Sequence, residues 1–279
     1  MAFTPVIPTT GLAGWNFLQQ TLPRQEEIFS QSPEVSRELE YFNENIGNVK
    51  TLDDFMGDRR LLSVALGAFG LGDEIDKGAF VRKVLEEGVT ESTAFARRLG
   101  NADYLAFAER FDFTNGDLKL FQTNIDDIMA DYERQSFEVE VGNVDETMRL
   151  ALNFERKIAD YVGQGSTESG GWFQLMASVP MRTVLESAFN LPSSFANLDI
   201  DKQREIFSDK MNAKYGDKSI ESFSDPEVVA DLIQNYLLRE EIDAGPTALT
   251  TGATALSLLS SASSGFGSSS LLNIILSNG

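Results

Sequence analysis

Asp58-Arg59-Arg60-Leu61-Leu62-Ser63-Val64-Ala65-Leu66-Gly67-Ala68-Phe69-Gly70-Leu71 returns 120 residues later as Ser178-Val179-Pro180-Met181-Arg182-Thr183-Val184-Leu185-Glu186-Ser187-Ala188-Phe189-Asn190-Leu191. Leu61/Met181, Val64/Val184, Ala65/Leu185, Ala68/Ala188 and Phe69/Phe189 pair up at steps of three, one, three and one, the apolar stripe of a helix. Asp58 and Ser178 are both N-cap residues. Gly70 and Asn190 are the residue types that best tolerate the left-handed conformation that ends a helix. The charges are not kept: Asp58-Arg59-Arg60 faces Ser178-Val179-Pro180. What recurs is cap, core and stop, so the match preserves a shape rather than a chemistry.

The correspondence extends outward with shifts. Phe42-Asn43-Glu44-Asn45-Ile46 matches Phe154-Glu155-Arg156-Lys157-Ile158 at an offset of 112, and Ile75-Asp76-Lys77 matches Ile200-Asp201-Lys202 at 125. The insertions fall in Gly163–Gly171 and in Pro192–Asn197. Asp76 and Asp201 read as further N-caps, with Ile75 stapled onto Phe80. A period near 120 is too long for a solenoid unit. The expected architecture is therefore all-α, with two tandem, structurally similar helical subdomains arising by internal duplication. The expected divisions are an N-terminal segment 1–31, a first helical repeat 32–142, a second 143–243 and a Ser/Gly/Leu-rich tail 244–279. Local signals place several helix starts: Ser32 before Pro33, Thr51 with Asp54 as a capping box, and Asn143 with Glu146 likewise, with Gly163 as the stop. Met148, Ala151, Leu152, Glu155 and Ile158 trace the mostly apolar face of the helix that follows Asn143. Ser136–Val141 alternates polar and apolar and reads as a short strand joining the halves.

Composition limits the function. A chain of 279 residues with 42% hydrophobic side chains buries a real core as one large or two small domains. The net charge of −20, from 43 acidic and 23 basic residues, opposes nucleic-acid binding, which depends on neutralising phosphates. It equally opposes binding to anionic membrane surfaces. It suits solubility, or a basic protein partner steered by the field. With no Cys and no His, disulfides, thiolate catalysis and Cys or His metal sites are excluded, and the commonest general acid/base is missing. No run is long enough to span a bilayer, and no secretory signal peptide is visible at the N-terminus.

Charge is confined to the middle of the chain. Met1–Pro23 carries none, and neither do the last 35 residues, Gly245–Gly279. That tail is rich in Ser, Thr, Gly and Ala and is expected to be weakly ordered on its own. It also holds Leu271-Leu272-Asn273-Ile274-Ile275-Leu276, an uncharged β-prone window that aggregates unless covered. Leu271, Leu272, Ile274 and Ile275 are therefore candidate partner-binding residues. Trp15 and Phe17, in the uncharged N-terminal stretch, either dock on the body as a core helix or form a partner surface.

The residues suggest little chemistry. Gly67-Ala68-Phe69-Gly70-Leu71-Gly72 superficially resembles a phosphate loop, but its spacing is wrong and it sits at a helix end, so it reads as a helix stop. Asp53/Asp54/Asp58, Asp126/Asp127/Asp131 and Asp199/Asp201 are the carboxylate clusters that glycoside hydrolysis or a divalent ion would need. None has the EF-hand pattern, and caps and solvated faces account for them. No catalytic, cofactor-binding or metal-ligating residue is assigned.

Tyr41-Phe42, Thr51-Leu52-Asp53-Asp54-Phe55, the Asp58–Leu71 stretch, Phe137–Asn143 and Met148–Leu152 resemble an alphaproteobacterial family known as domain of unknown function 1217. The similarity covers roughly Gly14–Ile242 and is most specific over Asp58–Leu71. Members are often encoded among flagellar genes. The resemblance implies a non-enzymatic structural, assembly or export-linked protein of the bacterial flagellum, whose partners are flagellar components or further copies of itself. The alternative is a cytosolic acidic adaptor or chaperone for a basic protein. The expected location is the flagellum or the cytoplasm.

Overall fold

Asp58 shows how the chain starts its central helix. One carboxylate oxygen, Oδ1, accepts the backbone N–H groups of Arg60 at 3.0 Å and Leu61 at 3.1 Å, two of the donors that a helix N-terminus leaves unpaired. Its other oxygen, Oδ2, accepts the Tyr41 hydroxyl at 2.7 Å. The helix ends as a Schellman motif: Leu71 N–H donates to the Leu66 carbonyl and Gly70 N–H to that of Gly67, with Gly70 at φ +74°. The helix Val179–Ala188 ends in the same way. Leu191 N–H donates to Glu186, Asn190 N–H to Ser187, and Asn190 alone among the described non-glycine residues has positive φ, at 51°.

The computed structural model describes residues 3–114, 118, 120–162 and 168–245. In chain order the α-helices are α1 (Gly11–Ser30), α2 (Pro33–Asn45), α3 (Leu52–Gly57), α4 (Arg59–Ala68), α5 (Gly78–Glu87), α6 (Phe95–Leu99) and α7 (Ala102–Arg110). They continue with α8 (Gln122–Val144), α9 (Glu146–Tyr161), α10 (Glu168–Ala177), α11 (Val179–Ala188), α12 (Ile200–Tyr215) and α13 (Pro226–Ala244). Among the described residues there is no strand, and the protein is all-α.

The helices pair in two similar sets. α4 packs on α2 and α8, and α3 on α4 and α5; α11 packs on α9 and α13, and α10 on α11 and α12. A 3-10 turn follows each stop, Gly72–Glu74 in one half and Ser193–Asn197 in the other. Beyond this the halves diverge. α6 and α7 lead from α5 towards α8, whereas a 3-10 turn, Ile220–Ser224, joins α12 to α13. α8 and α9 meet at Asp145 and pack along each other, which joins the halves. α1 lies against α2, α8 and α13 and so touches both. The chain before it folds back: Gln25 accepts Val6 N–H through Oε1 at 2.7 Å and donates to the Val6 carbonyl through Nε2 at 3.1 Å.

A single apolar cluster runs from Trp15 to Leu237. In the first half Phe55 stacks on Phe111 at 5.0 Å, and Phe69 meets both Phe107 and Phe111. In the second Trp172 stacks on Phe207, which also meets Phe189 and Phe195. The repeat partners Phe69 and Phe189 thus each enter an aromatic group, where the ring contacts add to area burial.

Four local expectations are corrected. Ser136–Val141 is part of α8, not a strand: Phe137, Glu138 and Val141 are buried while Val139 is 54% exposed, a helical rather than an alternating pattern. Because α8 continues to Val144, Asn143 lies inside it, and Asp145 is the cap of α9, accepting Met148 N–H at 3.1 Å. α5 begins after Lys77, and Asp76 pairs with Arg59 at 2.6 Å instead of capping. α12 is capped by Asp199, one turn-start earlier than Asp201, whose N–H Asp199 accepts at 2.9 Å. The capping box of Thr51 with Asp54 is present, with both reciprocal hydrogen bonds.

Candidate functional site

The residues singled out for partner binding fall in different settings. Trp15 is in the core, so the first reading of that helix, docked on the body, is the one the structure contains. Phe17, two residues on, is 37% exposed. Leu271, Leu272, Ile274 and Ile275 lie outside the described residues.

Most of the clustered carboxylates have structural partners. Asp54, Asp58 and Asp199 cap helices. Asp53 pairs with Arg82 at 2.8 Å, Asp127 with Arg110 at 3.6 Å and Asp131 with Arg134 at 2.9 Å. Asp126 accepts the Gln122 amide at 2.9 Å. Among the described residues no group of three or more acidic side chains is placed to hold a metal ion.

Among several clefts, one lies between the end of α4 and the start of α11. Gln135, Ser136 and Val139 of α8 line it, with Arg149, Asn153, Lys157 and Tyr161 of α9 beside them. These four α9 residues are spaced four apart and so form one stripe along the helix. Gly67, Gly70, Asp73, Ser178 and Pro180 also line it; the volume is about 140 Å³. A second cleft of about 460 Å³ adjoins it and shares Phe69, Asp103, Lys157 and Tyr161, extending to Arg97 and Arg110 on α6 and α7 and to Gln174 on α10.

The ionic frame is largely paired. Lys157 Nζ donates to Asp103 Oδ1 at 3.1 Å, with both side chains mostly buried. Arg149 is held in a fork by Glu146 through Nε at 2.7 Å and Nη2. Glu138, almost fully buried, accepts Arg156 Nη2 at 3.0 Å and Asn153 Nδ2 at 3.3 Å. Burial pushes the Tyr161 phenol well above the ordinary tyrosine value; the Asp103 carboxylate adds to the rise and the hydrogen bond with Ser178 works against it. Tyr161 therefore stays neutral at physiological pH.

Hydrogen bonding is incomplete here. Among the described residues five buried side-chain polar atoms have no hydrogen-bond partner, and three belong to residues lining the double cleft: Gln135 Nε2, Gln174 Oε1 and Arg110 Nη1, the last of which is ion-paired with Asp127 at 3.6 Å.

Sequence reasoning found the edges of this cleft without recognising it. Gly67–Gly72 is the helix stop expected, and the same glycines form one wall. A Cβ on Gly67 would sit 2.8 Å from the Tyr132 ring, so the close approach requires glycine. The stripe Arg149, Asn153, Lys157, Tyr161 was the available signal, running polar beside the apolar face of α9. Gln135 carried none, because only the packing of α8 under Gly70 buries it.

A family described as a protein of unknown function, DUF1217, matches residues 68–229. The crystal structure of protein AGR_C_984 from Agrobacterium tumefaciens, a structural genomics target, is similar at 31% identity and a TM-score of 0.67, over 87% of this chain and 98% of that one. No curated protein matches the chain.

Proposed function

The chain belongs to the DUF1217 family, and from that membership and its own charge map we propose that it is a non-enzymatic structural, assembly or export-linked component of the bacterial flagellum. The observation that carries this reading is the uncharged segment Gly245–Gly279 that follows a charged, packed helical body. Every ionisable side chain lies between Arg24 and Asp243. At the end of α13, Leu238 and Ile242 are exposed one turn apart, beside the point where the uncharged stretch begins. An apolar surface adjoining an uncharged segment suits contact with partner proteins or like subunits. The duplicated scaffold belongs to the same reading, supported by the shared order and pairing of α2–α5 and α9–α12. The capping and pairing of the clustered carboxylates favours structure over catalysis.

Fractionation of flagellated cells tests this. The protein is expected in purified flagella or their assembly intermediates, and removal of Gly245–Gly279 is expected to impair motility or export. Normal motility, export and partner binding in that truncation would remove the tail from the proposal. A second reading, an acidic adaptor for a basic partner, draws on the net charge of −20. It predicts instead a soluble complex that dissociates as salt is added.

A further inference from the structure

A groove runs between the C-terminal half of α1 and the middle of α8. Pro23, Glu26, Glu27 and Ser30 are spaced three, one and three apart and form one stripe of α1. Ala130, Glu133 and Arg134 form a stripe of α8 along the same groove, and buried Phe29 also lines it; the volume is about 370 Å³.

The charges along it are not balanced. Glu27 pairs with Arg24 at 3.2 Å and Arg134 with Asp131 at 2.9 Å, each within its own helix. Among the described residues Glu26 and Glu133 have no ion pair and no side-chain hydrogen bond. Both are half-buried. Burial raises both carboxyls above the ordinary glutamate value, and the Arg134 charge offsets only part of the rise. For Glu26 the Glu138 carboxylate adds to the rise and Arg156 opposes it. A carboxyl whose pKa rises on folding costs stability at neutral pH. A cation seated beside the pair would remove that cost.

The occupant follows from charge. Glu26, Glu27 and Glu133 are not gathered to hold a metal ion. A second copy brings a further net charge of −20, and the segment Gly245–Gly279 brings none. A cationic side chain of another protein matches the two unpaired carboxylates, and its aliphatic stem matches Pro23 and Ala130. We propose that the groove between α1 and α8 seats a basic segment of a partner protein, with an Arg or Lys head at Glu26 and Glu133 and its stem over Pro23 and Ala130. This rests on the basic-partner reading and assigns that partner to one face of the molecule.

The test uses the full chain and a fluorescein-labelled peptide that carries Arg and Leu on one helical face, titrated by anisotropy at low and at physiological ionic strength. Binding is expected to weaken with salt. Glu26→Gln combined with Glu133→Gln is expected to weaken it by at least roughly tenfold, and to hold or raise the Tm of the free protein. Glu91 and Glu227, both exposed, give the charge-matched control: Glu91→Gln with Glu227→Gln is expected to change binding by no more than about twofold. Ala130→Arg puts a resident guanidinium over the groove and is expected to block the peptide independently. Equal weakening in the groove and control variants would overturn the groove and leave the basic-partner reading standing. No salt-sensitive binding at all would overturn both. Calcium binding or self-association that the paired groove substitutions abolish would overturn the proposal by giving the groove another occupant.

Discussion

Asp58 and Gly70 bound the same helix and contribute through different physics. Asp58→Ala removes the acceptor for two backbone donors and for the Tyr41 hydroxyl. Loss of the cap is expected to cost about 1 kcal/mol in urea unfolding, with Asp58→Asn recovering most of it. Gly70 sits at φ +74° with Gln135 against it, so Gly70→Ala combines a left-handed penalty of about 1–2 kcal/mol with pressure on that amide. Asn190 occupies the equivalent stop at φ 51°, and Asn190→Gly is expected to be nearly neutral in the same measurement. Stop and cap residues were legible in the sequence because each residue type carries its own local reason. Where the reading slipped, at Asn143 and Asp201, a second aspartate nearby, Asp145 or Asp199, took the cap, and at Asp76 the pairing with Arg59 took its place.

At the level of elements, α8 was the least legible. A hexapeptide of alternating polarity carries no information about length, and the 23 residues of α8 are held by their packing on α4 and α9. Its helical register makes a sharp prediction. Val141 is fully buried and Val139 is half exposed, although a strand would put both on one face. Val141→Ala is expected to cost roughly 2–3 kcal/mol, from lost apolar burial and the cavity left behind. Val139→Ala is expected to change the stability little. Equal losses in chemical denaturation would contradict the register. The polar stripe of α9 shows the same limit from the other side: its spacing was visible, but only α8 and the end of α4, folded against it, make it the wall of a cleft.

Over the whole molecule, the apolar cluster crosses the division expected near residue 142. α1 reinforces this by touching both halves. The body is therefore expected to unfold as one cooperative unit. The two tryptophans report on it separately. Trp15 lies on α1, and Trp172 lies on α10 in the second half. Trp15→Phe and Trp172→Phe variants should show urea transitions by fluorescence that each coincide with circular dichroism; separated midpoints would mean independent halves. Self-repulsion at a net charge of −20 also predicts that sodium chloride between low and physiological ionic strength raises Tm. A flat response would mean that the surface acids are locally balanced.

The residues alone determined the all-α class, the helix stops at Gly70 and Asn190, the family, and the confinement of charge to the middle of the chain. Each rests on local preference or composition, which neighbours in space do not alter. Tertiary structure decided that Trp15 joins the core, that Ser136–Val141 is helical, and that Gln135 and the start of α11 face one cleft. Those outcomes depend on which surfaces meet across long sequence separations, and burial, unlike propensity, is a property of the assembled helices.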